Sequence, residues 1–388
     1  MDLLRRSASS LFQKPSVVHA TSVMENLSKR KNCLAILDSP GVSKDSDAYP
    51  MAWSERNLIA VVCLFDIFYQ NLDTKAVSQM CKSVFGTMNA IQWGGKGLEN
   101  YLAAGNSRGM VIIWDVATGG RGKLLRNWYG TPFDPIKSLS WNENFLAAGA
   151  DSGELSLIDI RDTDKTSTVK LHDSPIVGLQ WSTDGLYLAS GDKNGLVHVW
   201  DRRAGKSLLD ISETTKLRHR GSARALAWCP WKRDLLATGT TAPEGKIRIW
   251  STSSLSSPAP VPLEIIPLNT SVTSLHWSPH CKELLSTHGS SFSPVLQSRN
   301  PNMSAPKLTY TKTPLVNSIT VHQYPSCKRL MTLTNAHSSA VTSSCLGPSG
   351  DSIFTICPRE ETIKMWKVWN AAKPTDKRES AFDKYVIR

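Results

Sequence analysis

Apolar and polar positions alternate in a unit seen most clearly from Gly178 to Asp201, GLQWSTDGLYLASGDKNGLVHVWD. Gly178 to Trp181 alternates as a half-buried strand, Ser182 to Gly185 is a polar turn, and Leu186 to Ser190 is a second apolar run. Gly191 to Gly195 turns again, and Leu196 to Asp201 is a third strand ending in Trp-Asp. One such unit leaves both faces of its sheet uncovered, so units must stack and the pattern must recur about every 40–45 residues. The tryptophan closing the first strand recurs at Trp53, Trp93, Trp141, Trp181, Trp228 and Trp277, with Leu346 in the seventh register, at spacings of 40, 48, 40, 47, 49 and 69. The aromatic closing the third strand recurs at Tyr69, Trp114, Trp200, Trp250 and Trp366, with Ile158 and His322 in the other two registers. Seven units over residues 49–370 predict an all-β chain, a seven-bladed WD-repeat β-propeller. Each indole buries roughly 150–250 Å² between blades, so the blades carrying Tyr69, Ile158 and His322 are expected to be the looser ones.

Outside the repeat the pattern changes. Residues 1–48 predict a flexible N-terminal arm: its first 22 residues are Ser- and Arg-containing and acid-poor, faintly like a mitochondrial transit peptide, and offer little apolar surface to offset ordering. Within the arm, Cys33 to Val42 is a short apolar run ended by Pro40-Gly41, suited to supply the outer strand that closes the ring on the seventh blade. The long final spacing reflects a Ser-, Pro-, Asn- and Thr-rich stretch at about 290–316, read as a surface insertion between two strands of blade 6. Residues 371–388 form a basic tail ending in Ile-Arg.

Composition narrows the function. The net charge is +12, but much of the excess lies in the two ends: Arg5, Arg6, Lys14, Lys29, Arg30 and Lys31 in front, and Lys373, Lys377, Arg378, Lys384 and Arg388 behind. No helix interleaves Lys and Arg with aromatics, so protein partners are expected and nucleic acid is not. No run of 18 apolar residues predicts a membrane span. The eight cysteines lack CxxC spacing and read as small buried hydrophobes, giving neither a zinc site nor a disulfide frame. The nine histidines lack metal spacing, and His172, His219 and His337, just before first strands, are expected to hydrogen-bond within their blades. No GxSxG, P-loop or GxGxxG in strand-turn-helix context is present, so neither catalysis nor a cofactor is expected.

Four stretches then carry a resemblance: CLAILDSPG before blade 1, AWCPWKRDLLATGTTAPEGKIRIW, LHWSPHCKELLSTHG and a terminal Ile-Arg, in that order. They resemble the Fizzy/Fizzy-related family of activators and substrate receptors of the anaphase-promoting complex, over roughly residues 34–370 and the last two. The resemblance implies a non-enzymatic ubiquitin-ligase adaptor that captures degrons on its propeller. Its partners would be ligase subunits, destruction-box proteins and checkpoint proteins, in nucleus and cytoplasm. Ile387 and Arg388 would dock on the ligase, offering an apolar anchor, a guanidinium and a terminal carboxylate.

The resemblance also implies two degron pockets. In one, a pair of acids reads the arginine of a destruction box; Glu361, in REETIKMW, matches the second, whereas Ala52, in MAWS, stands where the first is expected. In the other, for the KEN degron, Lys193, Ser271 and Ala340 replace the family's asparagine, glutamine and arginine, so KEN peptides are not expected to be read in the usual way. The family's C-box, Asp-Arg-aromatic-Ile-Pro, is not found in residues 1–48. Two expectations follow: a specialised substrate receptor of the ligase in mitosis or meiosis, whose upstream sequence is incomplete, or a degenerate member acting as a non-activating scaffold or competitor.

Overall fold

The computed structural model describes residues 20–29, 32–82, 86–117, 119–162, 166–202, 206–207, 217–255, 260–289, 291–296 and 308–371. Seven antiparallel four-stranded sheets stand around a central channel as blades of a propeller. In blade 4 the strands are Ile176–Trp181, Tyr187–Asp192, Val197–Asp201 and Lys206–Ser207, taken outward from the channel in chain order. Blades 1 to 6 repeat this order, from Met51–Trp53 in blade 1 to Arg329–Leu333 at the rim of blade 6. Blade 7 is completed from the other end of the chain. Its outer strand, Ala35–Asp38, pairs antiparallel with Thr362–Lys367, so residues before the first blade close the ring.

Two devices set the spacing between blades. A glycine near the end of the second strand in blades 2 to 5 lies against the next blade's inner strand. A Cβ at Gly105, Gly149 or Gly239 would come within 2.4, 2.7 and 2.6 Å of Ile136, Ile176 and Val272, and one at Gly191 within 2.1 Å of the Ala223 carbonyl. The first-strand indoles then tie the seams: Trp93 and Trp277 donate to the Ala52 and Ala227 carbonyls at 3.1 Å, Trp141 to Gln92 at 3.1 Å and Trp228 to Gln180 at 3.0 Å. Each acceptor immediately precedes the tryptophan of the preceding blade, so one residue type fills the seam and satisfies its own polar group. Because backbone cannot yield as a side chain can, Gly191→Ala is expected to cost about 1–3 kcal/mol. A denaturation midpoint equal to that of the parent chain at unchanged slope refutes this account of the spacing.

The histidines expected to bond within blades do so with a repeated geometry. His172 contacts Ser190 Oγ at 2.8 Å and Asp192 at 3.1 Å; His219 contacts Thr238 Oγ1 at 3.1 Å and Glu244 at 3.3 Å; His337 contacts Thr355 Oγ1 at 2.9 Å and Glu360 at 2.6 Å. Trp200, Trp250 and Trp366 donate to the same three hydroxyls at 3.3, 3.0 and 2.9 Å. Each chain of bonds runs from the loop entering a blade to its third strand.

Two expectations need correction. Tyr69, Ile158 and His322 are as buried as the tryptophans they replace; the Tyr69 hydroxyl also donates to the Gly120 carbonyl at 2.8 Å. The partly buried positions of the two registers are instead Trp53, Leu346 and Trp200. Beside Trp53 the blade 7 to blade 1 seam is filled by Phe354, whose ring centroid lies 4.6 Å from that of Trp53. Second, the arm is not free throughout: Val23 and Leu27 are buried among Trp366, Val368, Trp369 and Leu333. The apolar residues it carries are few, but they are spaced to face one groove. Between two strands of blade 6, Phe292–Leu296 and Leu308–Lys312 pair as a two-stranded ribbon.

Candidate functional site

Where the ring closes, strand pairing brings two acidic residues to one seam. Asp38 is the last residue of the closing strand and pairs with Thr362, immediately after Glu361. Glu361 occupies the turn between the second and third strands of blade 7 with φ 54°; its carbonyl accepts from Ser39 N–H at 2.7 Å and its Oε1 from Gly41 N–H at 3.2 Å. Both Asp38 and Glu361 are exposed. Across the seam Leu64 N–H donates to the Gly41 carbonyl at 3.1 Å, and a Cβ at Gly41 (φ 68°) would lie 2.5 Å from Leu64 Cδ2. Only glycine allows this approach.

Apolar side chains frame the acids. Leu34, Ile36 and Asp38 alternate onto the outward face of the edge strand, and Leu64 and Phe65, more than half exposed, form the facing turn of blade 1. The local field is negative: the Cys63 thiol is pushed up first by burial and then by the carboxylates of Asp66 and Glu361. Two acids beside exposed aliphatic and aromatic residues suit a peptide carrying a guanidinium and an apolar side chain.

Ala52, the expected place of the lost acid, is not part of this site. It is buried in one cluster with Ile91 and Trp93 of blade 2, whereas Met51, beside it, packs with Phe354 and Ile363 of blade 7. Strand alternation sends neighbouring side chains to opposite faces, so Ala52 faces the wrong seam. The acid that sequence reasoning missed is Asp38. Its signal was present in CLAILDSPG, since a strand closing blade 7 must lie against the strand that follows Glu361.

Residues assigned to the second pocket are engaged within the protein. Lys193 Nζ lies 3.1 Å from Asp47, which holds the ammonium in its charged form to higher pH. Ser271 is buried; its Oγ accepts from Ala242 N–H at 2.9 Å and its N–H donates to Ser291 Oγ at 2.6 Å, at the base of the inserted ribbon. Ala340 is half-buried and adds only a methyl group. Ile387 and Arg388 lie outside the described residues.

The channel is plugged at one end. Arg224, the only buried Lys or Arg among the described residues, donates to the carbonyls of Thr273, Thr342 and Ala48, the last at 2.6 Å, with its guanidinium 4.2 Å from the centre of the Tyr49 ring. The Tyr49 hydroxyl donates to the Val177 carbonyl at 2.7 Å. His337, Cys357 and Glu360 present potential metal-ligating atoms within 4.8 Å of one another. Glu360 is already shared by His337, the Thr362 hydroxyl and the Lys364 ammonium at 3.4 Å, so this cluster serves the blade.

The repeated blades and the histidine-hydroxyl-tryptophan bonds define a WD-repeat propeller, and its closing seam carries an acidic rim. The chain belongs to the CDC20/Fizzy family, whose WD40-domain model matches residues 37–366. It is similar to the WD repeat-containing protein slp1 of Schizosaccharomyces pombe, 30% identical over 86% of this chain and 61% of that protein. It is also similar to the anaphase-promoting complex subunit cdc20 of Dictyostelium discoideum, 28% identical over 89% of this chain and 62% of that one. The chain thus spans about three-fifths of these relatives' lengths. A chain in the crystal structure of the mitotic checkpoint complex superposes with a TM-score of 0.74 at 27% identity, covering 92% of this chain and 95% of that chain.

Proposed function

We propose that this protein is a non-enzymatic adaptor of the anaphase-promoting complex, acting in nucleus and cytoplasm, that presents destruction-box proteins for ubiquitination in cell-cycle or meiotic control. The observation that carries the proposal is that the pairing of Asp38 with Thr362 and the bonds from Ser39 and Gly41 to Glu361 bring two exposed acids to the ring-closing seam, where Leu64 and Phe65 stand exposed. The arginine of a destruction box lies between the two carboxylates and its apolar residue on Leu64 and Phe65. Relatives named as ligase cofactors, and a structural neighbour from a checkpoint complex, support ligase and checkpoint proteins as partner classes. With Lys193 and Ser271 already engaged, KEN peptides are not read in the family's way.

Charge-assisted bonds to a guanidinium contribute about 1.5–3 kcal/mol when sheltered and less on an exposed rim. A fluorescent destruction-box peptide is therefore expected to bind about tenfold more weakly to Asp38→Asn/Glu361→Gln. Equal affinity of the double variant would falsify the seam as the arginine site. Pull-down of the purified ligase by the full chain, and by one lacking Ile387 and Arg388, followed by ubiquitination of a destruction-box substrate, tests the adaptor reading. Binding that needs the two residues and is followed by ubiquitination supports it. Binding without ubiquitination indicates a competitor, and no binding removes both.

A further inference from the structure

Residues 20–28, ATSVMENLS, are fastened to the propeller by a single buried carboxylate. Glu283, at the start of the second strand of blade 6, accepts from Ser22 Oγ, from Val23 N–H at 3.1 Å and from the Trp369 indole at 2.8 Å. Val23 and Leu27 insert behind it, 0% and 1% exposed, and the Asn370 N–H and side-chain amide donate to the Thr21 and Ala20 carbonyls at 3.3 and 3.0 Å. Ser22 caps the short turn Val23–Glu25, its Oγ accepting from Met24 N–H at 3.3 Å. The nearest basic side chain on this segment, Lys29, is paired with Glu25 at 2.5 Å. No Lys or Arg nitrogen lies within 4 Å of Glu283 among the described residues.

We propose that Ser22 is a phosphorylation site whose modification releases this segment from the groove between blades 6 and 7. An acidic residue three positions on, Glu25, makes the sequence suitable for an acid-directed serine/threonine kinase. The Ser22 oxygen bonds to the γ-phosphorus of ATP, the bond from that phosphorus to the ADP oxygen breaks, and the hydroxyl proton passes to the kinase's own base. Because Ser22 is only 5% exposed when docked, the kinase acts on the undocked segment. The product cannot return: a phosphate of nearly two negative charges would be set against the Glu283 carboxylate, which has no Lys or Arg ion-pair partner among the described residues. A phosphate at a helix start ordinarily stabilises, but a three-residue turn has almost no dipole to offer. Release then uncovers Trp366, Trp369 and Leu285 for other partners. The proposal rests on the Ser22 contact alone and is independent of the adaptor reading.

The test uses the full chain, with hydrogen exchange over residues 23–27 and trypsin cleavage after Lys29 as readouts. Ser22→Glu is expected to lower protection about tenfold or more, Ser22→Ala to lower it less, and Glu283→Gln to restore protection in the Ser22→Glu background, since an amide can donate to the new carboxylate. An acid-directed kinase with ATP is expected to place one phosphate on Ser22, read by mass spectrometry. Full protection in Ser22→Glu, equal losses in Ser22→Glu and Ser22→Ala, no rescue by Glu283→Gln, or no phosphate on Ser22 would each overturn the proposal.

Discussion

Removing the Arg224 guanidinium is expected to lower the stability of the propeller by about 3–5 kcal/mol, measured by denaturant unfolding of Arg224→Met. The side chain lies 2% exposed and meets no carboxylate among the described residues. Its charge is instead solvated by three carbonyls, from blade 6, from the strand entering blade 7 and from the segment entering blade 1, and by the face of Tyr49. Methionine fills much of the volume but leaves three buried acceptors without a donor, which costs more than the bonds themselves contribute. Arg224→Lys is expected to recover less than half the loss, because one ammonium cannot span acceptors that the planar fork reaches together. A midpoint for Arg224→Met within 1 kcal/mol of the parent would show that the plug is not a stabilising junction.

Lowering the pH from 7.5 to 5 is expected to remove about 4–6 kcal/mol of stability, a loss that begins well above the range of ordinary carboxylates. Six histidines are buried, and in three of them burial first, aided by neighbouring cations or histidines, pushes the group well down, His198 and His288 to about 3 and His322 to about 4. Unfolded histidine binds a proton near pH 6.5. The folded groups do not, so their contribution is complete above that pH. It falls by about 1.4 kcal/mol per unit for each group as the pH drops towards the folded values. His276, on the channel wall and pushed down to about 4, adds in the same direction. The acids respond later: Glu244 is held at about 2 although burial opposes it, by its bonds to His219 and the Arg220 N–H, and its contribution is lost only between about pH 4.5 and 2. Unfolding free energies measured across pH 7.5 to 5 test the sign, and His322→Trp, the residue other blades carry at that register, should reduce the proton slope by about one. A flat profile would contradict the buried neutral histidines.

The repeat was legible because it is written in residue sizes at fixed spacing. Trp93, Trp141, Trp228 and Trp277 announce seams, and the glycines before the second turns announce close approach. The histidine-hydroxyl-tryptophan bonds were legible in part, since the histidines precede their strands, although the hydroxyl partner lies 18 or 19 residues away. The candidate site was half legible. Glu361 follows from its register in blade 7, whereas the family pattern places its companion acid beside the first-blade tryptophan, at Ala52, which faces the core. Asp38 and Glu361 lie at opposite ends of the chain, and only the ring closure, through the pairing of Asp38 with Thr362 and the bonds from Ser39 and Gly41 to Glu361, brings them to one seam.

By itself, then, the sequence determined the architecture, because stacking identical units requires the same large and small residues at each turn of the pattern and leaves that period visible. Which residues meet across the closure was decided by tertiary structure. A closed ring brings distant stretches of chain together, the acids of the candidate site at its closing seam, Arg224 across the channel and Ser22 against Glu283 of blade 6, each joining residues more than 100 positions apart. No local periodicity records such contacts, since each partner is an ordinary residue in its own stretch of chain and acquires its role only when the ring closes.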